Sequence, residues 1–209
     1  RSCVLVRISH SHLRIGTFQY HAYHQDNNNL ELLIKSIGKY YFNFNDKNNS
    51  PINCFSEIVK RCAELAASYY IYGFVHGVLN TDNINITGES FDYGPFRLME
   101  HYDPNKIAAY FDHSGLYKFA SQTDAIFWNV QQLASIFTLF VEQDSLIQEL
   151  KKYIDYYNDE IFRLFFKRLF LIPSKNKNHN KNLLKDFYNL LLNSNYLYEE
   201  IFYDLKGGR

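Results

Sequence analysis

Apolar and polar positions along the chain change period several times, and those changes mark out the elements. Residues 2–9 (SCVLVRIS) alternate branched apolar and polar side chains, the period of a β-strand. Between Leu30 and Phe42 the positions Leu32, Leu33, Ile37, Tyr40 and Tyr41 recur at helical spacing. The polar stretch 43–51 (NFNDKNNSP) is a loop closed by a proline. Phe55 to Tyr72 is the clearest helix: Phe55, Ile58, Val59, Cys62, Leu65, Ala66 and Tyr69 share one face, and Gly73 stands where a C-terminal cap belongs. Residues 96–124 hold no sustained period and read as irregular, with turn signals at YDP (102–104) and FDHSG (111–115). A second amphipathic helix is expected over Ile126–Glu142, with Trp128 near its start, and one or two more over 145–172. Residues 173–182 (PSKNKNHNKN) read as a solvated basic loop, and 183–193 and 196–205 as helices. The pattern predicts an α+β chain: one early strand, one small hairpin and a mostly helical body.

The hairpin is expected in the most polar functional stretch, residues 74–94 (FVHGVLNTDNINITGESFDYG). Ile84-Asn85-Ile86 makes a short strand, Thr87-Gly88-Glu89 a turn, and Phe91-Asp92-Tyr93-Gly94 a returning strand. Such a hairpin brings Asn83 near Asp92, and two hard oxygen donors, with water and phosphate completing the shell, suit Mg²⁺ beside a nucleotide. Asp82, adjacent to Asn83, is then free to take a proton from an attacking hydroxyl. The plainer reading of Asn80, Asp82 and Asn83 is that they cap turns, as such residues often do. Arg7 and Arg14 bracket a strand-to-turn region; either they are two surface arginines or their planar forks converge on one anion. His10, His12, His21 and His24 lack an acidic or cysteine partner at ligand spacing, so no metal site is assigned to them.

Bulk properties narrow the classes. At 209 residues the chain can bury one core and is treated as a single unit, 1–209. The formal net charge is +0, so composition points to neither nucleic acid nor an anionic membrane. The three cysteines (Cys3, Cys54, Cys62) are odd in number and lack CxxC spacing, which fits reduced intracellular thiols. No apolar run reaches the ~18 residues of a membrane span, and no secretory signal is expected. The first residue is Arg, not Met, so a fragment is expected.

The order of groups in 76–94 follows the protein-kinase catalytic loop and its D-F-G, with Asn83 seven residues after His76 and Asp92-Tyr93-Gly94 standing for D-F-G. At the kinase base position, two residues after His76, stands Val78, which cannot take a proton. That departure disfavours small-molecule kinases of the aminoglycoside or choline type. The chain resembles the selenoprotein O family of kinase-fold protein adenylyltransferases. The resemblance rests on 76–96, on YDP (102–104), DHSGLYKF (112–119) and WNVQQLA (128–134), on the opening SCVLVRISHSHLRIGTFQY, and on FYDLKGG (202–208). It implies a kinase-like fold, mostly the helical C-lobe with one N-lobe strand, that binds ATP in a flipped orientation with Mg²⁺ or Mn²⁺. AMP would then pass to a Ser, Thr or Tyr hydroxyl of a protein, with no nucleic-acid or membrane partner. Matched by motif position, Asp82 is the base, Asn83 and Asp92 hold metal, and Arg7 and Arg14 grip the far phosphates. Residues matching the family's glycine-rich loop, nucleotide lysine and glutamate partner are not found here, so the resemblance also leaves a catalytically dead remnant or binding module as the alternative. It implies the bacterial cytoplasm, or a mitochondrion in a eukaryote.

Overall fold

The structure is a computed structural model that describes residues 3, 4, 6 and 8–208. Helix α1 (Ile15–Tyr23) leads into α2 (Asn27–Tyr40) and the long α3 (Pro51–Ile71). Four short strands follow: β1 (Phe74–His76), β2 (Ile84–Asn85), β3 (Glu89–Ser90) and β4 (Phe96–Leu98). After an irregular stretch over 99–118 the helices resume, with α4 (Gln122–Phe137), α5 (Gln143–Lys151), α6 (Tyr153–Leu169), α7 (Lys177–Leu192) and α8 (Tyr198–Asp204). The described chain is thus α+β, as its periodicity predicts.

Local chemistry explains the helix ends. The Asp26 side chain accepts from the Asn29 amide at the start of α2, and Ser50 caps α3 ahead of Pro51, a residue that has no N–H to satisfy there. Gly73 follows α3 at φ 60°, the left-handed conformation expected of its cap, and a β-carbon there would lie 2.8 Å from the Tyr198 ring. The basic loop is shorter than expected: Asn176 caps α7, which begins at Lys177 and absorbs the second half of 173–182. Helix α4 runs from Gln122 to Phe137 and not to Glu142, because the apolar run Leu139-Phe140-Val141 continues the helical period through a turn. Helix α1 falls in a stretch to which the periodicity assigns no element.

Two antiparallel pairs make up the strands, β1 with β4 and β2 with β3. Phe74 stands opposite Leu98 and His76 opposite Phe96, a three-residue pairing whose second strand opens the segment that reads as irregular. The strand expected over 2–9 is not seen among the residues described there. Residues 2, 5 and 7 lie outside the described residues, and the described ones carry no strand, with Val4, Val6 and Ile8 82–95% exposed. Alternation reports only the capacity to pair, and here the described residues offer those side chains no partner edge.

The core has two adjoining clusters. Phe18, Leu30, Ile34, Phe55, Ile58, Val130, Leu133 and Phe137 belong to the first, beneath α1–α5. Ile71, Val75, Phe165, Phe187, Leu191, Tyr198 and Phe202 belong to the second, where α6–α8 pack against the end of α3. A side chain as large as Phe55, fully buried, contributes about 1.5–3 kcal/mol. The loop between β1 and β2 runs beside the first cluster, to which it contributes Leu79.

Candidate active site

Three segments meet at this loop. The amide of Gly16, one of the unpaired N–H groups in the first turn of α1, donates to the Thr81 carbonyl at 2.9 Å. Thr81 Oγ1 donates to Gln19 Oε1 at 2.6 Å, one turn further along the same helix. From the other side, Asn129 of α4, fully buried, donates to the Leu79 carbonyl at 2.7 Å. The Arg14–Asn85 bridge and the Ile86 amide, which donates to the Leu13 carbonyl at 3.0 Å, tie the hairpin to the entry of α1.

Asp82 stands at the tip of this assembly with its side chain 62% exposed. Its amide donates to Asn80 Oδ1, so Asn80 caps a turn, the plainer of its two readings. The Asp82 carboxylate lies against Gly16, where a β-carbon would come within 2.3 Å of Oδ1. Arg14 is its cationic neighbour, with Nη1 3.8 Å from Asp82 Oδ1 and 3.4 Å from the Asp82 carbonyl oxygen. The Arg14 guanidinium also stacks over the Phe91 ring at 4.5 Å, which fixes its plane. Arg14 is therefore positioned beside the loop, while Arg7 lies outside the described residues.

His76 braces the base of the site. It is fully buried, and the Val78 amide donates to its Nδ1 at 3.1 Å. Nδ1 must then be bare, so Nε2 carries the proton and donates to the Asp92 carbonyl, beside Ser90 Oγ. Burial holds the imidazole below its ordinary pKa, opposed by the hydrogen bond to Asp92 and that residue's charge, which keeps the ring in this neutral form. One side chain thus links the start of the loop to the residue that follows the hairpin.

The hairpin differs from expectation by its return. Its second strand is Glu89–Ser90 and not 91–94, because the turn at Asn85–Gly88 closes early. Asp92 therefore follows the strand and is exposed. Asn83 and Asp92 are still held in one unit, since the Phe91 amide donates to the Asn83 carbonyl at 2.9 Å. Asn83 Nδ2 donates to the Val78 carbonyl at 2.9 Å, which fixes the amide and leaves Oδ1 as its acceptor. The Asp92 Oδ1 atom accepts from the Gly94 amide at 3.2 Å, leaving Oδ2 as the second hard oxygen. The donor chemistry fits a cation that takes few protein oxygens. Among the described residues, no group of three or more His, Cys, Asp or Glu could hold a metal. His10 and His21 do find acidic partners through space, at Glu89 (2.6 Å) and Asp26 (3.2 Å).

Sequence reasoning missed Gln122 and Asn129. Gln122 accepts from the His76 amide and donates to the Phe74 carbonyl, clamping β1. Both are amides at inward positions of an otherwise apolar helix face, and that misfit is the signal that marks them.

The sequence model of the family described as Protein adenylyltransferase SelO matches residues 1–208. The chain is similar to proteins named Protein nucleotidyltransferase YdiU from three organisms. It is 38% identical to that of Trichodesmium erythraeum, over 99% of this chain and 45% of the relative. The Vibrio cholerae protein is 36% identical over 93% of this chain and 40% of its own length. For Synechocystis sp. the figures are 39%, 81% and 36%. The chain spans less than half the length of these relatives, and the matches run across the α1 entry, the 76–94 loop and the helical body alike. The chain belongs to the SelO family of protein adenylyltransferases.

Proposed function

We propose that residues 1–209 form a partial kinase-like adenylyltransferase domain, and that it transfers AMP from ATP to a Ser, Thr or Tyr hydroxyl of a protein. The observation that carries this reading is the meeting of α1, the loop and the hairpin, which sets Arg14 3.8 Å from Asp82 on a scaffold braced by His76. Asp82, exposed at the loop tip, takes the proton of the attacking hydroxyl. The hydroxyl oxygen bonds to the α-phosphorus, the bond to the β-phosphate oxygen breaks, and pyrophosphate leaves. Arg14, with Arg7, neutralises charge on the departing phosphates. Asn83 Oδ1 and Asp92 Oδ2 are the oxygens that would hold Mg²⁺ or Mn²⁺. A cation there supplies charge neutralisation along the phosphate chain. Val78 leaves no other carboxylate at the kinase base position, which is why the proton falls to Asp82.

The substrates are proteins with accessible hydroxyls, and the place of action is the cytoplasm, where ATP and such proteins meet. The relatives' names, protein nucleotidyltransferases, support this class of reaction. Incubation of the chain with Mg²⁺ and ATP labelled at the α-phosphate should label protein hydroxyls, and chelation should stop it. Asp82→Ala is expected to lower labelling at least about a hundredfold with the melting temperature unchanged, since the carboxylate is exposed. Label arriving from the γ-phosphate instead would make the protein a kinase. No labelling together with no ATP-induced melting shift would favour the non-catalytic alternative.

A further inference from the structure

A cavity of about 730 Å³ opens between α6 and α7, and no residue of the 76–94 stretch lines it. Lys177, Lys181 and Lys185 form one wall, four residues apart along α7. Asp155 and Asp159, four apart along α6, belong to the other. Its apolar lining comes from Tyr70, Phe162, Leu184 and Tyr188. Among the described residues none of the five charged groups forms an ion pair, although the two rows line one cavity.

The lysine row is not explained by folding. Helix α7 has no acidic residue in its first turn, and Lys177 stands there where the helix dipole disfavours a cation. Each row steps about 6 Å per charge along its helix. An extended polypeptide presents alternate side chains about 6.6 Å apart on one side, and the intervening ones on the other. The two spacings match closely enough for three successive charges to stay in register. A uniformly anionic ligand such as nucleic acid would meet Asp155 and Asp159, and a uniformly cationic one would meet the lysines.

We propose that this groove docks an extended segment of a partner protein in which acidic side chains alternate with basic ones. The acids face Lys177, Lys181 and Lys185, the bases face Asp155 and Asp159, and the aliphatic stems lie on the aromatic lining. This is a binding site separate from the transfer site, so it is read without nucleotide, and its failure leaves the proposed reaction untouched.

Fluorescence anisotropy with a labelled peptide of strictly alternating glutamate and lysine tests it, beside all-glutamate and all-lysine peptides and an oligothymidylate. The full chain should bind the alternating peptide saturably and prefer it to the other three. The double variant Lys181→Glu, Lys185→Glu should lose about tenfold or more and switch its preference to the all-lysine peptide. Asp155→Asn with Asp159→Asn, a gentler change, should shift preference toward the all-glutamate peptide. Absence of saturable binding by the full chain overturns the proposal. So does oligothymidylate binding as tight as that of the alternating peptide, or an unaltered preference in the aspartate variant.

Discussion

A glycine in the first turn of α1 decides where the Asp82 carboxylate can lie. A methyl group on Gly16 would sit 2.3 Å from Asp82 Oδ1 and 3.5 Å from the Thr81 carbonyl, so only the movable end of an exposed side chain must yield. Gly16→Ala should therefore leave stability unchanged or raise it by up to about 1 kcal/mol, because alanine is the better helix former. Transfer should fall about tenfold to a hundredfold, because the displaced group is the proposed base. Chemical denaturation and AMP labelling measured on one preparation check both halves. His76 makes the second residue-scale prediction. Its folded pKa is lowered by burial, so below about pH 6.5 the unfolded chain binds a proton that the folded chain refuses. The contribution is complete above that pH and is lost as pH falls toward the folded value. Melting scans from about pH 7.5 to about pH 5.5 should show a drop that His76→Gln makes shallower. A drop of equal size in the variant would assign it to other groups.

Elements place these residues, and α4 does so through buried amides. Asn129 Nδ2 donates to both the Leu79 and Ala125 carbonyls, while its Oδ1 has no partner among the described residues. Asn129→Ala strands two acceptors and should cost about 1–3 kcal/mol. Asn129→Asp sets a carboxylate against those carbonyls and should cost more, a ranking that urea unfolding reads directly. This is also the scale at which the sequence was most and least informative. The choice between one and two helices over 145–172, open in the sequence, is settled as α5 and α6, whereas helix α3 and its Gly73 cap follow from period and capping residues. Helix α1 did not, since IGTFQYHAY mixes aromatic and histidine side chains without a clean face, and its first turn is satisfied by Thr81 from far along the chain. The β1–β4 pairing was equally hidden, because three-residue strands are fixed by a partner and carry little pattern of their own. At the site, the order of His76, Asp82, Asn83 and Asp92 was legible in the sequence. The contact of Arg14 with Asp82 and the stacking on Phe91 were not, being products of where α1 lands.

The whole molecule is held by helices that belong to both core clusters. Phe55, Ile58, Val59 and Ala66 of α3 lie in the first and Ala67 and Ile71 in the second; Tyr153 of α6 joins the first, and Ile161, Leu164, Phe165 and Leu169 the second. Arg168 adds a clasp at the far end, with its guanidinium 3.7 Å above the Phe202 ring, its Nη1 donating to the Ile71 carbonyl and its Nη2 beside Glu199. Neither cluster can lose its order without stripping a wall from the other. The thermodynamic consequence is cooperativity: heating should give one transition, with calorimetric and van't Hoff enthalpies equal, and fluorescence from Trp128 on α4 should report the same midpoint as far-ultraviolet dichroism of the helices. Two helices shared between two clusters make the chain a single melting unit.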